Sequence, residues 1–286
     1  MKSIRDIRQR IKSIESTQKI TRAMQMISAV KLARAQQRVM AARPYADKIK
    51  LIAAHLDQDE HHYDHPLLQK KEGPGKIAYV VFSSDRGLCA GYNINLNKAI
   101  EAVIKERSEE DLVIFPLGKK SRNYFKNHPL AREIVGAALG ELPDYREARL
   151  LADGLKHLFL EEGFKEIHLV YNRFYSAIKQ EPIFDQILPI PADANLNNDV
   201  EYLFEPQSKA VVMKIMPKYM EAETYRAMLE AKASEHAARM SAMEGASRNA
   251  DDIIHDLRIY LNRARQEAIT KELAEIVGGV EALKDH

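Results

Sequence analysis

The residues best equipped for chemistry lie together at Ser83-Ser84-Asp85-Arg86-Gly87-Leu88-Cys89-Ala90-Gly91. They follow an apolar strand-like run and precede a helical pattern, where a nucleotide-binding unit carries its phosphate loop. The segment lacks GxGxxG and the GK[ST] ending of a Walker A loop, and Gly73-Pro74-Gly75-Lys76 precedes the strand instead of following it. A structural turn, with Asp85 and Arg86 bracing one another, accounts for these residues better than a phosphate cradle. Cys89 is the one cysteine, and no His or Asp is tied to it by spacing, so small-residue packing is its expected role. His55, His61, His62, Asp64 and His65 match no zinc spacing and are expected in a solvated loop. No carboxylate pair or triad stands out, and no cofactor or metal is assigned.

The elements around these residues are set by where Gly and Pro fall. Residues 1–43 contain neither, and between residues 218 and 277 the sole one is Gly245. Nine of the 11 prolines lie from Pro66 to Pro206, and nine of the 12 glycines from Gly73 to Gly163. Because both residues break regular elements, the chain reads as long helix, compact mixed domain, long helix. The expected division is residues 1–57 as the first helix, 58–75 as a linker, 76–205 as the central domain and 206–286 as the last helix.

Ser3 and Asp6 suit a capping box at the start of the first helix. Ile4, Ile7, Ile11 and Ile14 then repeat at 3-4-3 spacing, the pattern of a narrow coiled-coil seam. Gln18 and Thr21 interrupt it as a stutter, and Pro44 is expected to kink or break the helix. Near the other end Ala250, Ile254, Leu257, Leu261, Ala264 and Ala268 keep 4-3-4-3-4 spacing, a complementary seam. That helix is expected to begin near Pro206, to kink at Pro217 and to end at Gly278-Gly279. Two seams joined through one domain predict an antiparallel intramolecular coiled coil. With about 55 and about 75 residues at about 1.5 Å each, the C-terminal helix should overshoot the N-terminus by about 30 Å. The overshoot, near Glu267–Val280, exposes Ile269, Leu273, Ile276, Val277 and Val280, which would suit an apolar socket or fold back.

The central segment alternates strand and helix patterns: strands at Lys76–Phe82, Asp111–Leu117, Ile134–Ala138, Lys165–Tyr171 and, at an edge, Gln180–Pro189; helices at Ile94–Arg107, Lys119–Asn127 and Tyr145–Glu162. This alternation predicts an α/β domain with a mainly parallel, Rossmann-like sheet.

Across 286 residues, 43 Lys and Arg nearly balance 41 Asp and Glu. The balance hides a net +10 in residues 1–55, against −7 in the middle and −1 in residues 209–286. So basic a helical arm predicts a negatively charged partner: nucleic acid, anionic lipid or an acidic protein surface. The arm has Tyr45 as its only aromatic and carries no nucleic-acid motif. The longest apolar run is six residues, Ile77–Phe82, too short to span a bilayer. A single cysteine excludes a disulfide scaffold and suits a reducing compartment.

Four stretches carry a resemblance: Ile14–Met26, Ser84–Asn93, Ala233–Met240 and Tyr260–Leu273. Together, in this order, they resemble the γ subunit of the F-type ATP synthases over essentially the whole chain. The resemblance implies a non-catalytic rotor shaft within a ring of three α and three β subunits, with its foot on the ε subunit and the membrane c-ring. It implies that nucleotide sites belong to β, and that Arg239, Arg265, Gln266, Thr270 and Met24 match positions at or beside β contacts. The tip, Ile269, Leu273, Ile276 and Val277, would turn in an apolar bearing. A peripheral position on the cytoplasmic face of a bacterial membrane is implied, and no thiol-switch insert is present. Glu244 and Gly245 depart from the Lys-rich, glycine-free family pattern. Two other readings compete: a coiled-coil protein binding nucleic acid or an anionic surface through its basic helix, and a nucleotide-binding enzyme built on the α/β domain.

Overall fold

The computed structural model describes residues 3–58, 65–107, 112–134, 139–191 and 208–284. In chain order the elements are α1 (Ile4–Gln58), β1 (Lys76–Phe82), α2 (Tyr92–Glu106), β2 (Leu112–Leu117), α3 (Lys119–Tyr124), α4 (Tyr145–Glu161), β3 (Phe164–Phe174), β4 (Gln180–Leu188) and α5 (Ser208–Lys284). They fall into two compact units. One comprises Met1–Ile27 with Met240–His286, and the other Ser28–Arg239.

The first unit is a pair of helices. Ser3 Oγ accepts from the Asp6 amide while Asp6 Oδ2 accepts from the Ser3 amide, each at 3.2 Å, so the expected capping box forms. Ile7 and Ile11 are buried against Ile254, with Ile14, Leu257, Leu261 and Ala264 packed around them. Each buried isoleucine contributes about 1.5–3 kcal/mol of apolar transfer, which holds the seam. The direction is fixed by three cross-pairs: Glu15 with Arg258 at 2.8 Å, Gln18 with Asp251, and Thr21 with Ser247 at 2.7 Å. As numbers rise along α1 they fall along α5, so the helices run antiparallel. Continuing the ladder residue for residue from Glu15 puts Ile4 opposite Ile269, and the helix beyond, to Lys284, overshoots by about 20 Å.

The second unit is built on a four-stranded sheet of order β2-β1-β3-β4. β1 pairs in parallel with β2 and β3, and β4 joins β3 antiparallel at the edge. Alternation along β1 divides its side chains between two cores. Ala78, Val80 and Phe82 face α4 and the inner parts of α1 and α5, while Ile77, Tyr79 and Val81 face α2 and Phe125, which follows α3. Gly118 is obligatory between β2 and α3, since at φ 95° a Cβ would lie 2.2 Å from the Ser83 carbonyl oxygen. An Asp144–Glu147 capping box starts α4.

α1 continues through Pro44 and does not break there, α5 continues through Pro217, and α5 also runs past its expected end at Gly278-Gly279 to Lys284. An interior proline costs about 3 kcal/mol, but Ala46, Ile49 and Ala53 lie buried just past Pro44, and Met216, Tyr219 and Met220 flank Pro217. Their burial outweighs the lost backbone bond. Ile134 is in no strand, and 135–138, the rest of the expected third strand, lie outside the described residues. Pro206 does too.

Candidate functional site

The loop Ser83–Gly91 leaves the C-terminal end of β1 and is folded around its own polar groups. Asn93 Oδ1 accepts from the Ser84 amide at 3.0 Å, and Asn93 Nδ2 donates to Ser84 Oγ at 2.8 Å and Cys89 Sγ at 3.2 Å. Ser84 Oγ donates to the Arg86 carbonyl at 2.6 Å, and Asp85 Oδ1 accepts from the Lys119 amide at 2.8 Å. Asp85 therefore braces the loop against α3 and not against Arg86. Leu88 and Ala90 adopt left-handed φ values of 61° and 46°, a strained conformation for residues with a Cβ. Cys89 lies beneath them with Tyr92 and Ala238, and burial pushes its thiol pKa up. Such a thiol is a packing group and not an activated nucleophile. Tyr92 ties the site down further: its hydroxyl donates to the Ala231 carbonyl at 3.0 Å, and its main-chain carbonyl accepts from Asn172 Nδ2 at 3.2 Å.

Arg239 reaches this loop from α5. Its guanidinium donates to the carbonyls of Arg86 at 3.2 Å and Gly87 at 3.3 Å, and to Glu235 at 2.8 Å. Glu235 also binds Lys232 at 2.9 Å, so the carboxylate is shared between two cations one turn either side. His236 stands 3.5 Å from Arg239, and burial lowers its pKa to about 4. Across from it Lys31 of α1 pairs with Glu141, holding that carboxyl below its ordinary range. The Glu235–Arg239 pair follows i, i+4 helix spacing, whereas the loop carbonyls are encoded by no side-chain pattern.

The other expected positions lie in the first unit. Met24 is half-buried, while Arg265, Gln266 and Thr270 are exposed on α5. Gln266 and Thr270 share one helix face, where with Arg263, Glu267, Lys271 and Ala274 they line a shallow groove. Thr270 Oγ1 donates one turn back to the Gln266 carbonyl at 2.9 Å. Further out Ile269, Leu273, Ile276 and Val277 are 49–63% exposed on the overshooting segment. Of the His-rich stretch, 59–64 lie outside the described residues. His65 is buried and its Nδ1 accepts from the Leu67 amide, a turn contact. Among the described residues no His, Cys, Asp and Glu group is arranged to hold a metal, and no helix is long and apolar enough to cross a membrane.

A family model described as ATP synthase matches residues 3–283. The ATP synthase gamma chain of Desulforamulus reducens is 43% identical, covering 99% of this chain and all of its own. The chain belongs to the ATP synthase gamma-chain family. The gamma chain of Moorella thermoacetica is 42% identical over the same share of this chain. In fold, the chain is similar to members of two mitochondrial assemblies. One is from the Euglena gracilis OSCP/F1/c-ring structure (TM-score 0.65, 20% identity, 98% of this chain and 94% of that one). The other is from the Tetrahymena thermophila central stalk/c-ring (TM-score 0.58, 24% identity, 80% and 99%). These two likenesses show the fold of long terminal helices and mixed sheet described above.

Proposed function

We propose that the chain is the non-catalytic rotor of a proton-translocating F-type ATP synthase, passing rotation of the c-ring to the catalytic β subunits. Residues 1–57 and 206–286 form the shaft, 58–75 a linker, and 76–205 the domain that meets the ε subunit and the c-ring. One observation carries the reading: in a chain of the gamma-chain family, an antiparallel helix pair ends in a single overshooting helix with exposed Leu273, Ile276 and Val277.

A shaft of two unlike helices has no threefold symmetry. Inside a ring of three β subunits it meets each with a different face. A contact shifts a conformational equilibrium only through unequal interaction with the competing states. Reversing a two-state preference from 1:99 to 99:1 takes about 5.5 kcal/mol, and a hydrogen bond to a charged group supplies about 1.5–3 kcal/mol. A handful of such contacts suffices: exposed Arg265, Gln266 and Thr270 are the candidates, and half-buried Met24, one turn from the Thr21–Ser247 pair, is a separate one. Arg239 joins them through the loop it holds. Proton flow would turn the shaft in synthesis, and ATP hydrolysis in β would turn it backwards. The chain itself needs no active site and no cofactor, and the complex sits peripherally on the cytoplasmic face of the membrane.

The test is reconstitution with α and β subunits from the same source. The expected product holds one copy per three α and three β, and Gln266→Leu or Arg265→Ala lowers its ATPase turnover. Failure to assemble, with salt-sensitive DNA binding by the isolated chain, would transfer the function to the basic helix.

A further inference from the structure

α5 packs on the central domain through buried apolar side chains, among them Met216, Met220, Ala227, Met228 and Ala231. Such contacts resist separation, but they have no direction and yield to sliding or turning. A knot of charge lies among them. Arg226 of α5, its side chain 14% exposed, donates from Nη2 to Asp185 of β4 at 2.9 Å. It also donates from Nε to Glu223 at 2.9 Å and from Nη1 to Glu230 at 3.2 Å. Asp185 accepts from the Tyr171 hydroxyl at 3.2 Å as well, and Arg173 of β3 stands 3.7 Å from Glu230. The charges therefore cross between helix and sheet at two points, one on each strand. The far side of α5 is held too. There the Tyr145 hydroxyl of α4 donates to Glu221 at 2.9 Å, and at 3.6 residues per turn Glu221 lies about 140° around the helix from Arg226.

This is a costly way to gain stability. Burial pushes the Glu223 carboxyl pKa up, so its charge is held against the preference of its surroundings. Apolar side chains of similar volume commonly hold such a joint as well or better. They lack the fixed geometry of a guanidinium fork. We infer that Arg226 is a positioning residue that keys α5 to the sheet: with Asp185 gripped on one side of the helix and Glu221 held by Tyr145 on the other, α5 cannot turn about its own axis, and torque applied to the central domain passes into the shaft. The torque rests on the rotor reading above; the key does not.

The key is tested in the isolated full-length chain by pulsed electron spin resonance. The labels sit at Glu181→Cys on β4 and Met213→Cys on α5, both exposed, while Cys89 is buried and slow to label. Two variants are compared with wild type. Arg226→Lys keeps the charge and loses the fork. The other joins Asp185→Leu, Glu223→Leu, Arg226→Met and Glu230→Leu, which removes the charges, keeps the volume and should unfold near the wild-type denaturant midpoint. In both, the distance distribution should be about twice as wide as in wild type, as expected of a helix freed to turn locally. Leu155→Ala, which opens the same core without touching the key, should keep the wild-type width. Wild-type widths in the key variants, or equal broadening in Leu155→Ala, overturn the key. Should the fourfold variant not fold, Arg226→Lys decides by the same comparison.

The torque is tested in the complex with α and β, its ring fixed to a surface and a bead on Ile178→Cys. With the rotor stalled, the thermal angular spread of the bead measures torsional stiffness. The spread should widen in both key variants and not in Leu155→Ala, while unloaded ATP turnover stays at the wild-type rate. An unchanged spread means that torque bypasses Arg226, against the proposal. A wild-type bead that does not rotate with ATP sinks the rotor reading and the torque with it, while the label widths still decide the key.

Discussion

Thr21 and Ser247 meet hydroxyl to hydroxyl at 2.7 Å across the helix pair, where the isoleucine ladder of α1 is interrupted. Beside them Gln18 donates to Asp251, so the interruption is a pair of matched polar rungs and not a mere loosening of the coil. The part-buried Thr21–Ser247 pair favours one register and one orientation, because a shifted helix leaves the hydroxyls without each other. Thr21→Val should therefore cost about 1–3 kcal/mol by stranding the Ser247 hydroxyl, whereas Thr21→Val with Ser247→Ala should cost less than the two single changes combined. Denaturant unfolding of the full chain measures the coupling.

Gly245 lies inside α5 and has nothing within 4 Å of where a Cβ would stand. Gly245→Ala should stabilise the chain by about 0.5–1 kcal/mol, since glycine loses the most backbone freedom in a helix. The gain should appear as a higher denaturation midpoint at unchanged denaturant slope.

On the overshoot, Leu273 is 57% exposed and Ile276 63%. Leu273→Asp should alter the stability of the isolated chain by less than about 0.5 kcal/mol. In an apolar bearing, however, an added carboxylate must be desolvated. Affinity for the α–β ring should then fall at least tenfold, about 1.4 kcal/mol, in titrations followed by mass.

Acid should destabilise the fold through His236. Burial lowers its pKa from 6.5 to about 4, with neighbouring Arg239, Lys232 and Lys31 adding to the fall and Glu235 opposing it. The unfolded chain thus takes up this proton at a higher pH than the native one. The stabilisation is complete above about pH 6.5 and is lost as pH falls from there to about 4, an effect of about 3 kcal/mol. In unfolding free energies measured across that window, His236→Gln should remove this part of the slope and leave the rest.

Much of this architecture was legible in the sequence because periodicity records which face is buried. The Ile4–Ile14 seam, its Ala250–Ala268 complement, the Ser3–Asp6 box and the strand patterns of β1 and β2 all depend on local spacing. Helix ends were less legible. Pro44, Pro217 and Gly278-Gly279 carry real local penalties, and at the two prolines they are overridden by distant packing that spacing does not contain. The candidate site divides the same way. Arg265, Gln266 and Thr270 are side chains on a regular helix, open to inspection in the sequence. The partners of Arg239 are main-chain carbonyls of a loop 150 residues earlier, presented by a backbone conformation that residue identities do not specify.

The central claim is that this chain turns inside the ring. The direct measurement is single-molecule observation of the reconstituted complex, with its α–β ring fixed to a surface and a bead on Ile178→Cys. That position is 90% exposed, while Cys89 is buried and slow to label. With ATP the bead should rotate in one direction, pausing at three equally spaced angles. Complexes that hydrolyse ATP while the bead stays still would contradict the account.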